Sequence, residues 1–183
     1  CQLDADDFLS PSALADSFEF LQHRPLAPFS YSYCGLFDQD DAVYALDERS
    51  LVEWSADAEL TKFITFHFRL IRSEAYHRVG GYQAHYFYAG DYDLCLRLSE
   101  LGDPLLIESI LYLYRVHRNS ASQLFLPNTH SESVSAVRAA VQRRMLNQTY
   151  LLSSTQNLSL ERLDEFQGPI LVAGLHRSGT SLM

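Results

Sequence analysis

Apolar positions recur along the chain in two rhythms, one helical and one extended. Leu14, Phe18 and Leu21 return at helical spacing behind Ser10 and a first-turn Pro11, which predicts a short helix over about 11–23. FSYSYCGLF alternates aromatic and small residues as a half-buried strand does, and DQDDAVYALDE after it reads as a turn or hairpin. KFITFHFRLIR, from Lys62 to Arg72, is rich in aromatic and β-branched residues and predicts a central strand. SEAYHRVGGY predicts one or two helical turns between a Ser73 cap and a Gly80–Gly81 stop. QAHYFYAG has no period; it is a loop whose aromatics form either a lid over the core or the wall of a groove. Leu94, Leu98 and Leu101 then predict an amphipathic helix with Asp91 and Asp93 in its first turn and Gly102 as its stop. PLLIESILYLYRVH reads as one or two strands ending at His117, and Val134, Val137, Val141 and Met145 mark a helix over about 129–152.

Near Gln156 the character changes. STQNLSLERLDEFQGP is polar, whereas Ile170 to Ala173 form an apolar strand running into GLHRSGTSLM. A buried strand that opens through a Gly/Ser/Thr-rich turn has the form of a phosphate-binding loop, although Thr180 stands where a Walker A loop has lysine. The expected organisation is a domain over 1–152, a linker over 153–167 and the start of a second domain over 168–183. Cys1 is no initiator and Met183 falls inside a turn, so the chain reads as an excerpt.

Composition narrows the functional classes. A 47% hydrophobic and 20% charged chain is ordinary for a globular protein and too apolar for disorder. Fourteen basic against 23 acidic residues give a net charge of −9, without the Lys/Arg field that nucleic acid requires. An anionic nucleotide must then be held by metal and backbone groups. Cys1, Cys34 and Cys95 are widely spaced and indicate neither a disulfide framework nor a zinc site. No run approaches a membrane span, and a reducing, cytoplasmic setting is expected, with a peripheral place at the inner membrane face left open.

Candidate chemistry begins with Asp4, Asp6 and Asp7, read as lying where a buried strand runs out into a turn. Such acids suit hard cations such as Mg²⁺ or Mn²⁺ carrying a phosphate; a solvated turn is the alternative. Asp91 and Asp93 form a second acid pair, and His117 follows a strand-like run. Asp93 also suits a helix first turn through the dipole alone. His67 and Arg69 share one facing on their predicted strand, with His67 more in keeping with a core or groove histidine than with a ligand. Asp38, Asp40 and Asp41 read as a solvated turn.

Taken in order, LDADDFLSPSAL, FHFRLIRSEAYHRVGGY, AGDYDLCLRLSELG and LYLYRVHRNSAS resemble the second half of a family 2 glycosyltransferase domain, of the type found in bacterial chondroitin and related polysaccharide polymerases. The resemblance covers about 1–150 and implies an α/β, GT-A-type nucleotide-sugar fold. It implies inverting transfer of a sugar, a hexosamine or uronic acid among the candidates, from a UDP-sugar to a glycan or other hydroxyl acceptor. LDADD resembles the D-x-D element, with Asp6 as metal ligand and Asp4 nearer the ribose and a metal-bound water. DYD resembles the motif that supplies the base, placed on Asp91, and His117 of YRVH matches a further metal ligand. Asp7, His67, Arg69, Gly81 and Asp93 fall at substrate-binding positions. The tail ILVAGLHRSGTSLM resembles the opening strand and 5′-phosphosulfate loop of sulfotransferases, which puts Arg177, Ser178, Gly179, Thr180 and Ser181 on the phosphates of PAPS. A sulfotransferase whose appended domain only binds carbohydrate is the alternative.

Overall fold

In the computed structural model the described residues are 1–38, 43–117 and 125–156. The chain divides into two units, Cys1–Arg144 and Met145–Met183. The first is built on a five-stranded sheet in the order β1 (Phe8–Leu9), β5 (Leu105–Arg115), β2 (Phe29–Phe37), β3 (Val43–Leu46), with β4 (Leu70–Ile71) also paired to β2. β2 and β5 run parallel and the other pairings are antiparallel, so the sheet is mixed. Helices α1 (Ala13–Gln22), α2 (Ala56–Thr61), α3 (Ser73–Arg78), α4 (Gly90–Leu98) and α5 (Leu126–Gln156) complete the described elements. Of the second unit, the described part is the end of α5. Most of the expected linker and all of 168–183, with Arg177, Ser178, Gly179, Thr180 and Ser181, lie outside the described residues, as do Asp40 and Asp41.

β2 is buried on both faces rather than half-buried as expected, with Phe29, Tyr31 and Cys34 fully inaccessible. That accounts for its aromatic and small residues: a strand flanked by β5 on one edge and covered above and below has no solvent side. Its other edge is shared, Phe29 and Ser30 pairing with β4 and Gly35 to Phe37 with β3, which completes the predicted hairpin.

Other expectations change as well. Segment 62–72 is not a central strand; only Leu70 and Ile71 join the sheet. Its backbone is claimed by side chains instead, Ile64 N and Thr65 N donating to the Glu59 carboxylate and Phe68 N to Ser32 Oγ. Such local acceptors compete with a ladder. Helix α4 is buried all round rather than amphipathic, with Tyr92 through Leu98 inside. Its charges survive there because Arg97 pairs with Asp93 at 2.6 Å and donates to Val79 O at 2.7 Å. Finally, no strand leads into the first acids: Cys1 to Leu3 are exposed, and β1 follows Asp7 instead of preceding it.

The long helix α5 starts earlier than expected and buries Ala136 and Ala140 against Tyr92 and Leu96 of α4. Small residues at spacing four allow that close approach, so the burial stripe runs through the alanines, with Val137 partly buried beside them and Val134 exposed.

Candidate active site

The parallel pair β2–β5 places the site. Its strands end together at Phe37 and Arg115, and Val116 N still donates to Phe37 O at 2.8 Å. The crevice beyond the carboxyl ends of parallel strands is where α/β sheets present ligand-binding groups. Because β1 runs antiparallel to β5 from Phe8 opposite Leu113, the preceding acids lie alongside the β5 terminus. Asp7 fastens that arrangement: its two oxygens accept from Tyr112 Oη and Arg115 N, each at 2.7 Å. Burial raises the Asp7 carboxyl above its ordinary value, against those two bonds. Asp6 is thereby brought to His117, whose Nε2 lies 2.7 Å from its carboxylate. The His117 contact holds Asp6 below the usual carboxylate range.

A cleft of about 1560 Å³ opens here, and Asp4, Asp6, His67, Arg69, Asp91 and His117 all line it. Three sequence-distant segments therefore meet at one surface. Asp91 arrives from the other side, at the first turn of α4, where it accepts from its neighbour Tyr92 N at 2.8 Å and pairs with Arg69 at 3.3 Å. Arg69 is held in turn by Thr65 O. The start of α4 has no side-chain cap of its own. Glu132 of α5 supplies an acceptor, taking Tyr88 N at 2.6 Å and Ala89 N at 3.0 Å just before the helix.

The other predicted residues are placed as follows. His67 is buried and stacks on Tyr112 with ring centroids 4.1 Å apart; burial, with the charges of Arg69 and Arg49, pushes its pKa well below the ordinary histidine value. Asp7 and Asp93 do not line the cleft; Asp93 is tied to Arg97 within the core. Gly81 lies outside it too, at φ +64° and against the Tyr76 ring, where a Cβ would clash at 2.8 Å. Among the described residues, the group whose atoms cluster tightly enough for a cation is Asp4, Asp7 and His67, within 4.8 Å of one another, while Asp6 and His117 form a separate pair.

Sequence reading missed Arg49, Glu59 and Glu132. Arg49 pairs with Asp47 and lies over the Phe66 ring, 3.4 Å from its centroid, on the cleft wall. Glu59 is fully buried, and its carboxylate holds Ile64 N, Thr65 N and Thr65 Oγ1. Glu132 sits in a polar stretch that gives no hint of its partners, which are 43 and 44 positions away.

Burial pushes the Glu59 carboxyl up from 4.5 to about 7. The folded state thus binds the Glu59 proton more tightly than the unfolded chain does. The stability this confers is complete below pH 4.5 and is lost as pH rises through about 7. Glu59→Gln, which cannot ionise, is expected to remove that slope and to exceed the parent above neutrality by roughly 3 kcal/mol. Urea unfolding across this pH range checks it; parallel profiles for the two proteins would refute the assignment.

No protein-family model matches the chain. Over 122 residues, 66% of its length, the chain is 32% identical to a chondroitin synthase of Pasteurella multocida (strain Pm70) and to a hyaluronan synthase of Pasteurella multocida. The match spans 12% of each of those proteins. This similarity supports a relation to the glycosyltransferases.

Proposed function

We propose that this region, related to polysaccharide synthases over two thirds of its length, is the C-terminal half of a GT-A-type domain that transfers a sugar with inversion from a UDP-sugar to a hydroxyl acceptor. The observation that carries the reading is the convergence of Asp6, His117 and Asp91 on one cleft.

Asp91 acts as general base. It sits at a helix start, just beyond the Tyr88 N and Ala89 N donors that Glu132 engages, and Arg69 and Tyr92 N fix its orientation. As the acceptor oxygen attacks the anomeric carbon, its proton passes to the Asp91 carboxylate. The bond from that carbon to the diphosphate oxygen breaks, and UDP leaves with the electron pair. Attack opposite the leaving group inverts the anomeric centre.

Asp6 and His117 hold the leaving-group side. An oxygen and a nitrogen donor facing the same cleft suit Mn²⁺ or Mg²⁺, with Asp4 nearby on the same turn. Such an ion, when bound, supplies charge neutralisation for the departing diphosphate. His67, stacked on Tyr112, and Arg69 complete the substrate wall. Asp7 and Asp93 serve by fixing the frame.

For 168–183 we propose the opening of a PAPS-dependent sulfotransferase domain, on its sequence pattern of apolar strand and Gly/Ser/Thr turn. Among the described residues no helix is long and apolar enough to cross a membrane.

The test of the reading is stereochemical. With the α-linked UDP-sugar that the full-length protein accepts, proton NMR of the first product is expected to show a β linkage. A retained α linkage would exclude single displacement with Asp91 as the base.

A further inference from the structure

Phe87 lines the cleft and is nevertheless 84% exposed. A phenyl ring left in water beside catalytic acids calls for a ligand, because a contiguous exposed apolar surface has a binding use far more often than a lone exposed side chain does. Here the surface is contiguous. Phe87 meets Tyr88 edge to face at 5.1 Å, and Tyr88 packs on Phe125 at 5.1 Å, both rings lining the same cleft with the exposed Leu126 beside them.

The wall is also fixed in place. Glu132 accepts from Tyr88 N and Ala89 N, so the loop is tied to α5 only two residues before Asp91. The rings therefore stand at a set offset from the carboxylate. A ligand that satisfies both must offer an apolar face and a hydroxyl at its edge. A pyranose does: its axial C–H bonds pack on an aromatic face, and its hydroxyls lie around the rim.

Resting on the transferase reading above, we propose that Phe87, with Tyr88 and Phe125, is the acceptor platform, on which the terminal sugar of a glycan chain stacks so that its hydroxyl meets Asp91. Phe87 determines how the acceptor is held and takes no part in proton transfer. A nucleobase would also stack on such a wall, so the test separates the two.

The test uses the full-length protein and reads glycan-array binding, acceptor KM, kcat and UDP affinity. Phe87→Ala is expected to raise the acceptor KM about tenfold, with kcat and UDP affinity unchanged. Phe87→Trp is expected to retain the parental KM. Because Phe87 is so exposed, its truncation removes no core contact; Phe125→Ala gives a second reading of the same wall. Leu26→Ala, 88% exposed and outside the cleft, is expected to change nothing. An unchanged acceptor KM overturns the proposal, as does a loss of UDP affinity, which would assign the rings to the base. A parent protein that retains no glycan on the array overturns it too. Failure of the underlying transferase reading looks different: the parent would then release UDP from no UDP-sugar, with or without glycan.

Discussion

Asp91→Asn is expected to lower sugar transfer by about 10²–10⁴-fold, with affinity for the UDP-sugar retained. Asparagine keeps the size of the side chain and an oxygen for Tyr92 N, so the start of α4 is preserved. What it removes is the proton acceptor. It also deprives Arg69, which is 3% exposed, of its anionic partner, and the melting temperature should fall with it. Turnover is therefore compared per folded molecule, with donor binding measured in parallel. A carbohydrate-binding module with the same fold would give a different result, since neither the parent nor the variant would turn anything over. An Asp91→Asn protein that transfers sugar at the parental rate would dismiss Asp91 as the base.

His117→Ala and Asp6→Asn are expected to cost at least about 10²-fold each, because ligand losses exceed the 10–100-fold typical of groups one layer further out. Raised Mn²⁺ should restore part of the activity of His117→Ala and none of that of Asp91→Asn, the contrast that separates a weakened ion site from a missing base. The pair has an acid limit as well. Asp6 is held below its ordinary pKa by His117, so the favourable contact is complete above the unfolded carboxylate value and is lost as pH falls through the depressed one. The tight group of Asp4, Asp7 and His67 makes a sharp comparison. Both oxygens of Asp7 already serve Tyr112 and Arg115, so His67→Ala should leave the Mn²⁺ dependence in place. If His67→Ala abolishes it and His117→Ala does not, the ion belongs to that buried group.

The elements with local signals were legible in the sequence. The existence of strand FSYSYCGLF and the Gly80–Gly81 stop have their cause within a few residues. The helix expected over 11–23 is present as Ala13–Gln22, but it buries Ala13, Ser17 and Leu21, while Leu14 and Phe18 of the expected stripe face solvent, because the sheet lies against the other side of the helix. Segment 62–72 was not legible, because β propensity lost to Glu59 and Ser32, acceptors supplied by helix α2 and strand β2. The burial of α4 was hidden for a related reason. Asp93 and Arg97 look like a solvated face until their mutual pairing and Val79 O are seen. At the site, the acids and His117 could be singled out as residue types suited to an ion. Their convergence depends on the β1–β5 register and on Asp7, a residue whose fastening role has no sequence signature. Glu132, which fixes the aromatic loop, is legible only once α5 lies beside it.

UDP release by the full-length protein from a panel of UDP-sugars, with Mn²⁺ and then with chelator, tests most directly whether Asp6, His117 and Asp91 form a sugar-transfer site. The account predicts release from at least one donor, stimulated by a glycan, abolished by chelator and lost in Asp91→Asn. Release from none of them, or release indifferent to both chelator and the Asp91 substitution, would contradict it.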